Sequence, residues 1–153
     1  MDQERPAHAN NGSTTVVVDS REPEEIRFAL LDAGVDFDIR LLPDGDVMLV
    51  APSGFVVGIE RKTVADFLAS IADGRLDGQV ARGCTTYGLF IIALEGTWSI
   101  LNQDAYDGPE KDPKGPFIKA GGRKRAWRAS SFWAKLLSIQ RQNANLYLLP
   151  TPS

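Results

Sequence analysis

The sequence predicts an α/β fold in which a mixed central β-sheet is flanked by helices. Three features carry that expectation. Apolar strand-like runs alternate with helical patterns along most of the chain. The runs "VMLV" and "FVVGI" flank the turn residues Pro52, Ser53 and Gly54, as the arms of a hairpin do. The stretch "YGLFIIALEG" at 87–96 is apolar on both faces, which suits a strand in the middle of a covered sheet.

The elements follow in order. "TTVVVDS" at 14–20 reads as a buried strand ending at Asp19, and "PEEIRFALLDAG" as a helix with Pro23 in its first turn, early acids and Gly34 as its stop. "VDFDIRLL" alternates with period two, and the hairpin comes next. After Lys62 a helix places Val64, Phe67, Leu68 and Ile71 on one face and closes at Gly74. "RLDGQVARGC" gives another short helix that Gly78 weakens. Residues 102–122 are rich in Pro, Gly and Asp and read as a long loop. "RKRAWRASSFWAKLLSIQRQ" is a long helix with Trp133, Leu136 and Leu137 on one face, widened by Phe132, and "NLYLLP" is the last strand.

With 153 residues, 43% hydrophobic and 24% charged, the chain suits one globular domain with a real core. The expected division is a flexible polar leader over 1–14, a single domain over 15–150 and a tail at 151–153. "MDQERPAHANNGST" has neither the basic start nor the apolar stretch of a signal peptide. No apolar run reaches the roughly 18 residues of a membrane span, so no membrane partner is expected. His8 is the only histidine, which argues against a histidine-based metal site or triad. Cys84 is the only cysteine, which excludes a disulfide framework or zinc cluster and suits a reducing, intracellular setting.

Charge is unevenly distributed. Residues 1–114 hold ten Lys/Arg against twenty Asp/Glu, a balance of −10, whereas residues 115–153 hold seven Lys/Arg and no acid, a balance of +7. An acidic body beside a basic segment can form one site for cations and phosphates, or be plain charge segregation.

The run "VVGIERKTVADF" sets three charges where a strand leaves its sheet. Side chains alternate along a strand, so Glu60 and Lys62 share a face and Arg61 takes the other. Fourteen residues and one hairpin turn separate Asp46 from Glu60, so Asp46 can return beside it. Asp19 ends the first strand and Glu22 lies just beyond. Four carboxylates can thus converge on one sheet edge, where a hard divalent ion, magnesium or manganese, would relieve their repulsion. Lys62 adds a compact ammonium that can hold a scissile phosphate, orient water or accept a proton. Together these parts describe metal-assisted hydrolysis of a phosphodiester.

The blocks "VVVDSRE", "LPDGD", "IERKTVADFLASIADGRLDGQ" and "FIIALEG" resemble, in order, those of the XPF-type nuclease domain, within the PD-(D/E)xK group of restriction-endonuclease-like folds. The likeness is close over about residues 16 to 97 and loose over the last helix and strand. It implies a magnesium- or manganese-dependent endonuclease of DNA repair or recombination that cuts branched or flapped DNA, acting as a homodimer or with a protein partner. Gly45-Asp46, Glu60-Arg61-Lys62 and Asp66 match the signature. The resemblance implies Asp46 and Glu60 as metal ligands, Asp19 as a further ligand or water-orienting carboxylate, Glu22 as an additional candidate, and Lys62 as catalytic base or phosphate-stabilising group. Arg61 would buttress the sheet through an acidic partner. Asp66 can serve the site or close a capping box with Thr63. Glu95 can line the same edge or be a buried, hydrogen-bonded carboxylate. Asp44 supplies a superficial Pro-Asp, but hairpin register favours Asp46.

Ser70, Arg75 and Gln79 match the stretch expected along the DNA path, with Arg75 gripping phosphate. Lys119, Arg123, Lys124, Arg125 and Arg128 would track the duplex backbone. Trp127 can stack on a base, although core or dimer surface suits all three tryptophans better. The 153 residues show no Gly-rich helix-hairpin-helix pattern, and the 102–122 loop departs from the family's short connection. Two other readings stand beside the active nuclease. One is an inert XPF-like DNA-binding or dimerisation scaffold, which typically lacks the acids retained here; the other is a nucleotide phosphohydrolase, which would need a base pocket.

Overall fold

The computed structural model describes residues 12–96, 98–101, 117–120 and 127–151. Strands β1 (Thr15–Asp19), β2 (Asp38–Arg40), β3 (Val47–Val50), β4 (Val56–Thr63), β5 (Leu89–Glu95) and β9 (Leu146–Thr151) form a six-stranded sheet in the order β2-β1-β3-β4-β5-β9. The pairs β1–β3 and β3–β4 are antiparallel, and β1–β2, β4–β5 and β5–β9 are parallel, so the sheet is mixed as the sequence predicts. Parallel neighbours need a crossover. Helices α2 (Val64–Ala72) and α3 (Arg75–Thr86) supply it between β4 and β5, while α1 (Glu24–Asp32) links β1 to β2. A second, antiparallel sheet holds β6 (Trp98–Leu101), β7 (Phe117–Ala120) and β8 (Trp127–Arg128), and α4 (Ala129–Gln142) leads from it back to β9.

The core lies between one face of β5 and β9 and helices α2, α3 and α4. Phe67, Leu76, Val80, Phe90, Ile92 and Phe132 are almost wholly buried. Phe67 meets Phe132 edge to face, centroids 6.2 Å apart, a geometry that the ring quadrupoles favour. In α3 the expected weakness at Gly78 is overridden, and the helix runs through both Gly78 and Gly83. Gly83 is the closer fit, because a Cβ there would stand 2.4 Å from the Phe90 ring.

Three expectations need correction. The interval 102–122 is not loop throughout, since Phe117–Ala120 pairs with Trp98–Leu101; four residues without period-two alternation, set among Pro and Gly, give little strand signal. The last helix starts at Ala129, and the Trp127–Arg128 pair before it is strand. Its buried stripe is Ala129, Phe132, Leu136 and Ile139, whereas Trp133 and Leu137 lie one position further round and are 45% and 67% exposed. The helix turns about 100° per residue, so this one-position shift carries both off the core face.

Candidate active site

The site assembles where β1, β4 and β5 end and β3 begins, a sheet edge of the kind at which α/β proteins bind ligands. Register explains the meeting. Val47 lies opposite Ile59, which brings Asp46 to the level of Glu60. The turn before β3 permits this because Gly45 has φ +76°, and a Cβ there would crowd the Ile59 carbonyl at 3.1 Å. The Asp46 N–H donates to that carbonyl at 2.7 Å, and the Asp46 carbonyl accepts from Asp19 N–H at 2.8 Å. Asp46 is thereby pinned between β1 and β4.

Its carboxylate accepts the Arg61 backbone N–H on Oδ2 at 2.7 Å. Burial pushes the Asp46 carboxyl up to about 6; the Arg61 N–H opposes this, and the charges of Glu60 and Glu22 raise it further. Glu60 lies on Lys62, Oε1 to Nζ 3.4 Å, and the Lys62 side chain is only 9% exposed. A half-buried acid facing two other acids, with an ammonium alongside, matches the chemistry of a hard divalent cation bound by one or two carboxylates plus water and phosphate. Among the described residues no group of three or more His, Cys, Asp or Glu side chains is poised to enclose a metal ion.

The remaining acids have partners of their own. Asp19 Oδ1 accepts Arg21 N–H and Nε at 2.7 Å each, and Oδ2 accepts Arg21 Nη2 and Leu42 N–H at 2.8 Å each. The Arg21 guanidinium, with these backbone donors, holds the Asp19 carboxyl well below the usual range despite its burial. A metal would have to displace one of these donors to bind Asp19. Glu22 Oε2 accepts Arg61 Nη1 at 2.8 Å, and Glu95 takes Arg61 Nε and Nη2 at 2.6 and 3.0 Å. Arg61 thus leaves β4 away from Lys62 and bridges two acids.

Asp66 closes the start of α2. Its N–H donates to Thr63 Oγ1 at 3.1 Å, and the Thr63 hydroxyl donates to its Oδ2 at 2.8 Å. Ser70 corrects the expectation of a DNA contact: it is 1% exposed, and its hydroxyl donates to the Asp66 carbonyl at 2.7 Å within the helix. Arg75 is exposed and paired with Asp73 at 2.9 Å. Gln79 has its Oε1 buried, and among the described residues it has no hydrogen-bond partner. Arg128 is exposed. Arg123, Lys124 and Arg125 lie outside the described residues, and of Lys119 the backbone alone is described.

The sequence reading missed two sets of partners. Arg21 clamps Asp19 from two residues away, a spacing too common to signal anything. Arg82 and Thr86, with Tyr87, hold Asp44. Gly58 offered a clue to the last, because its missing side chain makes room for the Tyr87 ring.

A mixed sheet with crossover helices and acids gathered on one edge defines a restriction-endonuclease-like nuclease fold. Residues 18–153 match the ERCC4 domain, and the chain belongs to that family. Two solved structures of XPF from Aeropyrum pernix, one of them in complex with DNA, are similar to it, each with TM-score 0.61 and 28% sequence identity. They cover 91% and 92% of this chain, which spans 57% of theirs. No curated protein matches the chain. None of the described helices is long and apolar enough to cross a membrane.

Proposed function

We propose that this XPF-type nuclease domain is a magnesium- or manganese-dependent endonuclease that hydrolyses phosphodiester bonds in branched, flapped or nicked DNA. The observation that carries the reading is Asp46: a half-buried carboxyl that burial and the charges of Glu60 and Glu22 push up to about 6, opposite a Glu60 whose Oε1 lies 3.4 Å from the Lys62 ammonium. Asp46 and Glu60 would hold the metal, with Glu22 within reach if Arg61 releases it. When bound, the cation would neutralise these acids and lower the pKa of a coordinated water.

The chain's own groups then have distinct tasks. Lys62, buried along its stem, offers an ammonium fixed near Glu60 to the non-bridging oxygens of the scissile phosphate, where negative charge grows during attack. The Arg61 N–H holds one oxygen of Asp46 and thereby sets the direction of the other. Arg75, exposed at the start of α3, can grip a backbone phosphate by exchanging its Asp73 partner. DNA as partner is supported by the family and by the DNA-bound Aeropyrum pernix structure. A homodimer or protein partner is supported by Trp133 and Leu137, large apolar side chains that are 45% and 67% exposed on α4.

Labelled flap, splayed-arm, nicked and plain duplex DNA, incubated with magnesium, manganese or chelator, test the reading. Metal-dependent cutting of the branched and nicked substrates is expected, lost in Asp46→Asn and Lys62→Ala while binding persists. A second reading, the inert scaffold, is favoured by the arginines that hold Asp19 and Glu22. Binding of such DNA without cleavage in either metal would select it.

A further inference from the structure

Asp46 stands at the end of the turn Pro43-Asp44-Gly45-Asp46, and Asp44 in that turn is anchored to a different element from those that hold Asp46. Asp44 Oδ1 accepts Arg82 Nε at 3.2 Å, and Oδ2 accepts the Thr86 hydroxyl at 3.0 Å. The Asp44 carbonyl accepts the Tyr87 hydroxyl in a short hydrogen bond. All three donors come from the C-terminal part of α3 or the residue that ends it.

The Tyr87 ring has little freedom. It is 4% exposed, stacks on Phe90 with centroids 6.0 Å apart and planes 4° from parallel, and covers Gly58 of β4 so closely that a Cβ would lie 2.2 Å from it. A hydroxyl on so fixed a ring is itself fixed. Burial and the Asp44 charge push that hydroxyl up, so it remains a donor. Between the anchored Asp44 and Asp46 lies only Gly45, the residue of the turn with the freest backbone.

We propose that Tyr87 is a positioning residue for Asp46: its hydroxyl, through the Asp44 carbonyl, sets the turn that presents the Asp46 carboxylate to the metal. The idea rests on the metal-site reading above. It also joins the two halves of that site, because α3 begins at the phosphate-gripping candidate Arg75 and ends on this turn. Groups that orient a metal ligand without touching the metal commonly carry about 10–100-fold of its affinity.

Manganese uptake, followed by the electron paramagnetic resonance of the free ion, tests this on the wild-type chain and on Tyr87→Phe, which keeps the ring and removes the hydroxyl. Manganese binding about 10–100-fold weaker is expected, with the manganese needed for half-maximal cleavage rising in step and the rate at saturating metal little changed. Binding within twofold of wild type overturns the proposal. Should Tyr87→Phe not fold, Thr86→Val removes the neighbouring anchor on Asp44 and is read in the same way, with a loss of about threefold or more expected. A wild-type chain that takes up no manganese overturns the metal-site reading itself, before any variant is compared.

Discussion

The backbone N–H of Arg61 donates to the Asp46 carboxylate at 2.7 Å, while the Arg61 side chain holds Glu95 and Glu22. One residue of β4 therefore organises three acids from three other segments. The strand alternation that sends Lys62 toward Glu60 sends Arg61 the other way, so the charge run in β4 serves two clusters rather than one.

Removing that side chain has a definite cost. Arg61→Ala leaves Glu22 and Glu95, 15% and 35% exposed, facing each other without their shared cation. Losing one partner of a fully buried pair costs 3–5 kcal/mol, and partial exposure here lowers the expectation to about 2 kcal/mol. Arg61→Lys should recover less than half, since an ammonium cannot fork between two carboxylates. Urea denaturation measures both. An alanine variant within about 0.5 kcal/mol of wild type would show that the bridge contributes no net stability.

The raised Asp46 carboxyl makes metal-free stability depend on pH. Its folded value of about 6 lies above the ordinary 3.8, so the folded chain binds the extra proton between these values. Stability from this group is thus present below about pH 4 and declines as pH rises through 6. Asp19 acts with opposite sign: held low by Arg21, it stabilises above pH 4, and that contribution is lost on acidification below it. Thermal unfolding in chelator should show the Asp46 loss between pH 4 and 7, on the order of 1–2 kcal/mol after solvent screening. Asp46→Asn should remove that slope and be the more stable protein at pH 7. Manganese should stabilise wild type above pH 6 and leave Asp46→Asn unmoved. A wild-type curve flat over this window would contradict the buried, acid-flanked setting of Asp46.

Gly58→Ala tests the packing beneath the turn. The added Cβ would stand 2.2 Å from a Tyr87 ring that is 4% exposed and stacked on Phe90. Overpacking of this kind costs about 1–3 kcal/mol, and the strand gains little in return from alanine. Urea midpoints at constant slope give the number. A variant as stable as wild type would mean that the ring has room the structure does not display.

Much of this was legible before any coordinates. The hairpin turn and period-two alternation together brought Asp46 beside Glu60, because a one-residue slip would have carried Met48 and Val56 off the face that packs on the core. Asp66 was legible as a cap because its partner Thr63 is three residues away. What escaped depended on distant side chains. Nothing local in "DSRE" says that Arg21 folds back onto Asp19, or that the Ser70 hydroxyl turns into its own helix. On α4, two overlapping apolar stripes compete, and only the sheet decides that Phe132, Leu136 and Ile139 face it rather than Trp133 and Leu137.

The basic segment offers a last test that is independent of metal. Lys119, Arg123, Lys124, Arg125 and Arg128 fall within residues 115–153, which carry seven cations and no acid, in a chain whose net charge is −3. A chain negative overall binds DNA only if its cations are concentrated where phosphates pass. Each phosphate contact to duplex DNA releases counterions and steepens the dependence of log affinity on log salt by about 0.9. Replacing Arg123, Lys124 and Arg125 by Gln should therefore flatten the slope by about 2–3 and weaken binding at low salt for every sequence alike. Fluorescence anisotropy over a salt series, in chelator so that no cutting occurs, gives the slope directly. Cleavage at saturating DNA should remain near the wild-type rate, since these residues are assigned to holding the duplex and not to the reacting phosphate. A slope unchanged from wild type would return the segment to plain charge segregation and leave Arg75 on α3 as the phosphate contact to pursue.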